Sequence, residues 1–207
     1  MMRTALARTG DPPKAANADS SEDGRLLALL AAGDSGTFRL VVTRHLSLVL
    51  GIARRMLRDD AEAEDVAQET MLRLWRNASS LELGPGGLKP WLRRVATNLC
   101  IDRVRARRNL VVVDEVPEEA EPAEQLDRLA EDDLSRRVDD ALKALPDRQR
   151  AALTLFHFEG LSQSEVGATL GISDEAVESL LARGRRSLKA ALKEEWRDLL
   201  PGAGDPA

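Results

Sequence analysis

A chain of 207 residues, 43% apolar and 31% charged, can pack as one domain or as two small ones, and its net charge of -5 argues against a uniformly basic nucleic-acid binder. One cysteine, Cys100, excludes an internal disulfide, and His45 and His157 as the only histidines leave no metal-ligand cluster of recognisable spacing, so no metal and no cofactor is expected. No apolar run approaches the roughly 20 residues that cross a bilayer, and Met1 to Asp23 has no signal-type stretch, so a cytoplasmic protein without membrane insertion is expected.

Residues 1–22 are rich in Ala, Pro, Asp and Ser without apolar periodicity and read as a disordered tail. A short helix from Gly24 to Ala32 comes next, broken by Gly33-Asp34-Ser35-Gly36. The longer helix after it places Phe38, Val41, Val42, Val49, Ile52, Ala53 and Met56 on one stripe. Arg54, Arg55 and Arg58 load its C-terminal end, where cations suit the helix dipole.

Asp59 or Asp60 caps the next helix, which reaches about Ala78 with Ala63, Val66, Ala67, Thr70, Met71 and Leu74 on its apolar face. Asp65, Gln68, Glu69, Leu72 and Arg76 share another face. A leucine exposed among acceptors is what a partner-binding helix presents, although on these residues alone a solvated face is the simpler reading.

Ser79 to Gly87, containing Gly84-Pro85-Gly86-Gly87, is a loop, and Pro90 suits the first turn of a helix reaching about Asn109. Leu88, Trp91, Leu92, Val95 and Leu99 are predicted to point inward. The outer stripe is Arg94, Asn98, Ile101, Arg105 and Arg108, with Arg93 and Thr97 beside it. Such a face can hold phosphates while contacting an unstacked base; solvation alone would explain the arginines but not an exposed Ile101 and Asn98.

Val111 to Val113 is too short for a sheet and reads as linker. Asp114 to Asp133 is strongly acidic, and Pro117 and Pro122 keep it from helix until about Glu124. Basic segments flank it, from Arg93 to Arg108 and from Arg183 to Lys193, which points to two contacts with one polyanion joined by a connector that the polyanion repels. Helix resumes from Asp132 to Ala144, Pro146 opens another over Asp147 to Phe158, and Gly160 breaks it.

The stretch from Leu161 to Leu188 reads as a DNA-binding helix-turn-helix. Ser162 and Glu165 form a capping box, Gly171 offers the left-handed turn, and Ser173 caps the second helix. Val166, Leu170, Ile172, Val177 and Leu180 would share a core, with Gly167 at the close approach. The opposite face, Glu175, Ser179, Ala182, Arg183 and Arg186, is left for a major groove. The last helix runs on to Leu199, and 201–207 is a tail.

The segments Leu57 to Trp75, Trp91 to Arg105 and Leu142 to Leu153, with the helix-turn-helix after them, closely resemble a bacterial extracytoplasmic-function sigma factor of the sigma-seventy family. The resemblance covers about Phe38 to Leu192. It implies an all-α chain of two small helical domains: a sigma region 2 domain at 23–110 and a sigma region 4 domain at 133–200, joined by a flexible acidic linker at 111–132. It further implies a transcription initiation factor, not an enzyme, that binds core RNA polymerase and promoter DNA and is controlled by an anti-sigma factor. Asp65, Gln68, Glu69 and Leu72 would dock on the polymerase. Arg94, Asn98, Ile101, Arg105 and Arg108, with the loop Ser79 to Lys89, would take the minus-ten element and a flipped base. Glu175, Ser179, Arg183 and Arg186 would hold the minus-thirty-five element; Glu178 repels phosphate and shifts contact towards Ser179, Arg183 and Arg186. An operator-binding regulator using only the C-terminal domain is the second reading, and it leaves the Asp65 to Leu72 face unexplained. A nucleic-acid enzyme is disfavoured because no catalytic constellation is visible.

Overall fold

The structure, a computed structural model, describes residues 14–57, 59–84, 86–111, 141–142 and 144–199, with the side chains of 14–20, 108–111 and 193–199 left aside. The acidic linker, most of the helix expected over Asp132 to Ala144, and the C-terminal tail lie outside the described residues. All regular secondary structure among the described residues is helical.

The first helix, α1 (Lys14–Ala31), starts well before Gly24, so the expected tail is shortened and Gly24 becomes a helix-interior residue. The N-terminal half of α1 has no apolar period, and so nothing in its residue pattern announces a helix. Its second half buries Leu26, Leu27 and Leu30. At the start of α2 (Ser35–Leu57) the Asp34 carboxylate accepts from the backbone amides of Gly36 and Thr37 at 3.0 and 3.2 Å. At the start of α3 (Asp60–Asn77) it is Asp59, not Asp60, that caps, accepting from Glu62 N at 2.9 Å. The long helix after the loop is α4 (Leu88–Val111).

α2 packs on α3 and α4, and α1 lies against α2 and α3. The stripe on α3 is the one the period dictates: Ala63, Val66, Ala67, Thr70, Met71 and Leu74 are all buried. α2 is long and apolar enough to cross a membrane by length and composition, but Val41, Val49, Ile52 and Met56 are fully buried within the helical core.

The C-terminal half holds α5 (Asp147–Leu153), α6 (Gln163–Leu170) and α7 (Asp174–Leu199). After α5 the chain widens into a π-turn over Thr154–Phe158 instead of staying α-helical. That turn keeps Leu155 buried while Phe158 emerges, with the Arg55 guanidinium 4.7 Å from its ring centroid. α7 crosses α5 and α6. Gly184 permits the first crossing, since a Cβ there would lie 2.9 Å from Leu153 Cδ1.

α4 also packs against α5 and α6, and the π-turn packs against α2, so one hydrophobic cluster runs through both halves. Within it the Arg150 guanidinium is 5% exposed and donates to the Met56 carbonyl at 2.6 Å and the Leu145 carbonyl at 3.2 Å. Covering α4 from two sides changes which of its residues are inward. Leu88, Leu92, Ala96, Thr97, Cys100 and Ile101 are buried, whereas Trp91, Val95 and Leu99, expected inside, are half-buried. Burial pushes the Cys100 thiol up to about 12, so it serves as packing and not as a nucleophile.

Candidate functional site

Three surfaces answer to the sequence-predicted residues. The first is an open cavity of about 620 Å³ between α3 and α4, lined by Asp65, Gln68, Glu69 and Leu72 together with Arg73, Leu99, Asp102 and Arg103. The spacing of Asp65, Gln68, Glu69 and Leu72 is one helical face, so α3 alone brings them together. Leu72 and Leu99 are half-buried and form its apolar floor, while Asp65 and Gln68 stand exposed at its rim. Arg73 Nε donates to Glu69 Oε1 at 2.7 Å, and this bond above all holds the Glu69 carboxyl below the usual range. The surface is therefore a groove of mixed charge around two leucines, in which the Glu69 carboxylate is held in place by Arg73.

The second surface is the flank of α4 that carries Arg94, Asn98, Ile101 and Arg105. Arg94 and Asn98 are exposed as expected. Ile101 is not: it is 7% exposed and part of the core, contrary to the reading that placed it on an open face. The reason is tertiary. Arg105, one turn on from Ile101, pairs through Nε with Asp147 Oδ2 at 3.2 Å at the start of α5, and Arg94 lies beside α6. The row containing Ile101 is thus turned towards the C-terminal helices. Arg108 belongs to α4, but its side chain is outside the described residues.

Between α4 and α6 remains a cavity of about 360 Å³ bordered by Trp91, Arg93, Arg94, Leu161, Glu165 and Thr169. Glu159, which the sequence pattern does not single out, lies 3.9 Å from both Arg55 and Arg93. Burial raises its carboxyl above the ordinary value, against the opposing pull of the two arginines. Asp147 and Arg150 are likewise inconspicuous in the sequence; both stand in a helix start whose local pattern says nothing about a partner on α2 or α4.

The third surface is the outer face of α7. The turn before it is built as its residues dictate: Ser162 and Glu165 exchange a capping box, and Gly171 takes φ +65. A Cβ on Gly167 would come 2.8 Å from the Ile172 carbonyl, so only glycine lets the two helices cross there. Ser173 Oγ accepts from Ala176 N at 3.3 Å and caps α7. Val166, Leu170 and Val177 are buried, Ile172 and Leu180 half-buried, and Leu181, absent from the expected core, is at 1% exposure a central contact. Glu175, Ser179, Arg183 and Arg186 are all exposed on one side. Arg183 bonds back to the Ser179 hydroxyl at 2.8 Å, which holds its guanidinium along the helix.

A family model for sigma-70 region 2 matches residues 41–110 and one for sigma-70 region 4 matches residues 135–188. The ECF RNA polymerase sigma factor SigE of Mycolicibacterium smegmatis is 37% identical over 154 residues, 72% of this chain, which spans only 59% of SigE. The ECF RNA polymerase sigma factor SigK of Mycobacterium bovis is 33% identical over 177 residues, covering 84% of this chain and 95% of SigK. Among solved structures, the sigma factor RpoE in complex with the anti-sigma factor NepR from Bartonella quintana superposes with a TM-score of 0.60 at 25% identity, covering 75% of this chain and 96% of RpoE. Two region models in the right order, and a relative matched over nearly its whole length, place the chain: it belongs to the sigma-70 family, among the ECF RNA polymerase sigma factors.

Proposed function

We propose that the chain is a transcription initiation factor and not an enzyme, acting in the cytoplasm by binding core RNA polymerase and directing it to promoters. The observation that carries this reading is the placement of two different surfaces on one helix. Leu99, Asp102 and Arg103 of α4 complete the groove of Asp65, Gln68, Glu69 and Leu72, while Arg94, Asn98 and Arg105 stand on another row of the same helix. A partner seated in the groove would hold α4 rigidly beside DNA, which is what melting a duplex at a fixed site requires.

In this reading the domain at 23–110 binds the polymerase and the minus-ten element, the acidic linker at 111–132 lets the halves part, and the domain at 133–200 holds the minus-thirty-five element through Glu175, Ser179, Arg183 and Arg186. Arg94, Arg105 and Arg108 hold phosphates, and their contacts offset the few kcal/mol needed to unstack a base. Because Ile101 is buried against the core while Arg94 and Asn98 are exposed and Arg105 is only loosely paired with Asp147, the C-terminal helices must move off Ile101 before the whole row can take a DNA strand. An anti-sigma factor that favours the packed arrangement would keep the protein silent; the similar sigma factor RpoE was solved in complex with an anti-sigma factor, NepR.

Run-off transcription with purified bacterial core polymerase on a genomic fragment library, with and without the protein, tests the reading. Specific new transcripts that disappear when Gln68 and Glu69 are both reversed to lysine are the expected result. No transcripts, together with tight binding to duplex DNA in the absence of core, would replace it with an operator-binding regulator.

A further inference from the structure

The candidate base-reading loop from Ser79 to Gly87 ends on an unusual anchor. The first amide of α4, Leu88 N, donates at 2.8 Å to Asp23 Oδ2, a buried bond between residues 65 positions apart. Asp23 belongs to α1 and is 3% exposed. A carboxylate is costly to bury unless it is hydrogen-bonded, and a helix N-terminus, with free amides and a positive dipole end, is where one is tolerated.

The loop is shaped to reach it. Gly86 and Gly87 take φ +94 and +66, and a Cβ on Gly87 would collide with Asp23 Oδ2, so glycine there serves both the backbone turn and the room for the carboxylate. Asp23 is itself held from behind. Arg44 on α2 bonds Glu22 at 2.6 Å and approaches Asp23 Oδ1 at 3.9 Å, while Leu26, Leu27 and Leu30 fasten α1 to the core. Backbone turns tie the near end of the loop to α3, where Ser80 N donates to the Asn77 carbonyl at 3.0 Å. The far end is tied to α1.

We propose that Asp23 is a positioning residue for promoter opening: by capping α4 it fixes the exit of the loop Ser79–Gly87, and so the place where an unstacked base is received. The inference rests on the sigma-factor reading above. It assigns α1 a part in DNA opening that neither its composition nor its distance in sequence from the loop announces.

The test uses the full chain with Asp23→Ala, Asp23→Asn and Gly87→Ala, and three readouts: amide hydrogen exchange at Leu88 and Lys89 in the free protein, affinity for core polymerase, and the rate of opening on a promoter recovered by run-off, followed by 2-aminopurine in the minus-ten element. Asp23→Ala should speed exchange at Leu88 and slow opening about tenfold, the scale of one lost helix cap, with core affinity unchanged. Asp23→Asn keeps the acceptor and should open promoters at close to the parent rate. Gly87→Ala should resemble Asp23→Ala, and the two together should cost less than their sum, because both disturb one contact.

Opening at the parent rate in Asp23→Ala, or an equal defect in Asp23→Asn, overturns the proposal. So does a parallel fall in core affinity, which would make Asp23 a general fold residue. If Asp23→Ala does not fold, Asp23→Asn against Gly87→Ala carries the same comparison. Should the unaltered protein start no transcripts, the sigma-factor reading falls, whereas unchanged exchange at Leu88 in Asp23→Ala would overturn the anchoring by itself.

Discussion

The two basic faces of this chain have opposite fates in the same structure. On α7, Glu175, Ser179, Arg183 and Arg186 stand open to solvent, so a duplex could be met without any rearrangement. On α4, Ile101 is 7% exposed and Arg105 is paired with Asp147. Both faces carry arginines on a regular helix, and their composition does not separate them. The difference lies in the elements opposite: among the described residues nothing covers the outer side of α7, whereas α4 is sandwiched between the N-terminal core and the C-terminal helices. On α4 the row is only partly covered, since Arg94 and Asn98 stay exposed while Ile101 is buried, whereas on α7 all four residues are exposed.

Breaking the packing between halves should produce the largest effect. Arg150→Ala removes a buried guanidinium that serves the carbonyls of Met56 and Leu145, and should destabilise the protein by about 3 kcal/mol, splitting denaturant unfolding into two transitions. One unaltered transition would show that the halves do not depend on this contact.

Reversing the charge of one arginine on each face separates their roles. Arg105→Glu should slow promoter opening about tenfold with little change in initial duplex contact, and Arg183→Glu should weaken upstream duplex binding by about the same factor, each lost phosphate contact lowering the salt slope by about one. Equal effects of both variants on both steps would erase the distinction between the faces.

A third effect concerns how α7 is presented. Ser162→Ala should cost about 1 kcal/mol by removing the cap of α6. Bonds from the Ser162 amide and hydroxyl hold the Glu165 carboxyl below its usual value. A lowered folded value means that Glu165 contributes its stability above the unfolded value of 4.5 and loses it as pH falls through the folded one, so acid denaturation of the parent should show a loss in that window that Glu165→Gln lacks. Asp147→Asn should have the smallest effect. The Arg105 side chain is 53% exposed, so the pair contributes little, and the free protein should bind single-stranded minus-ten DNA only about twofold more tightly, measured by fluorescence anisotropy.

Much of this architecture is legible from the residues alone. The α3 stripe, an aspartate cap at Asp59 or Asp60, and the Ser162, Glu165 and Gly171 turn all rest on residues close along the chain, where spacing and capping chemistry act directly; the structure chose Asp59. The groove residues Asp65, Gln68, Glu69 and Leu72 are legible as a face for the same reason. The start of α1 is not, because a polar helix without apolar period is indistinguishable from a tail.

Neighbours along the chain decide where most caps, turns and apolar stripes fall, so these are readable from the residues alone. Long-range packing makes Ile101 core, brings Arg105 to Asp147 and Arg150 to the Met56 carbonyl, and lets Asp23 cap a helix 65 residues away. A helix can display two flanks of similar composition, and which one is buried depends on long-range contacts that no local period encodes.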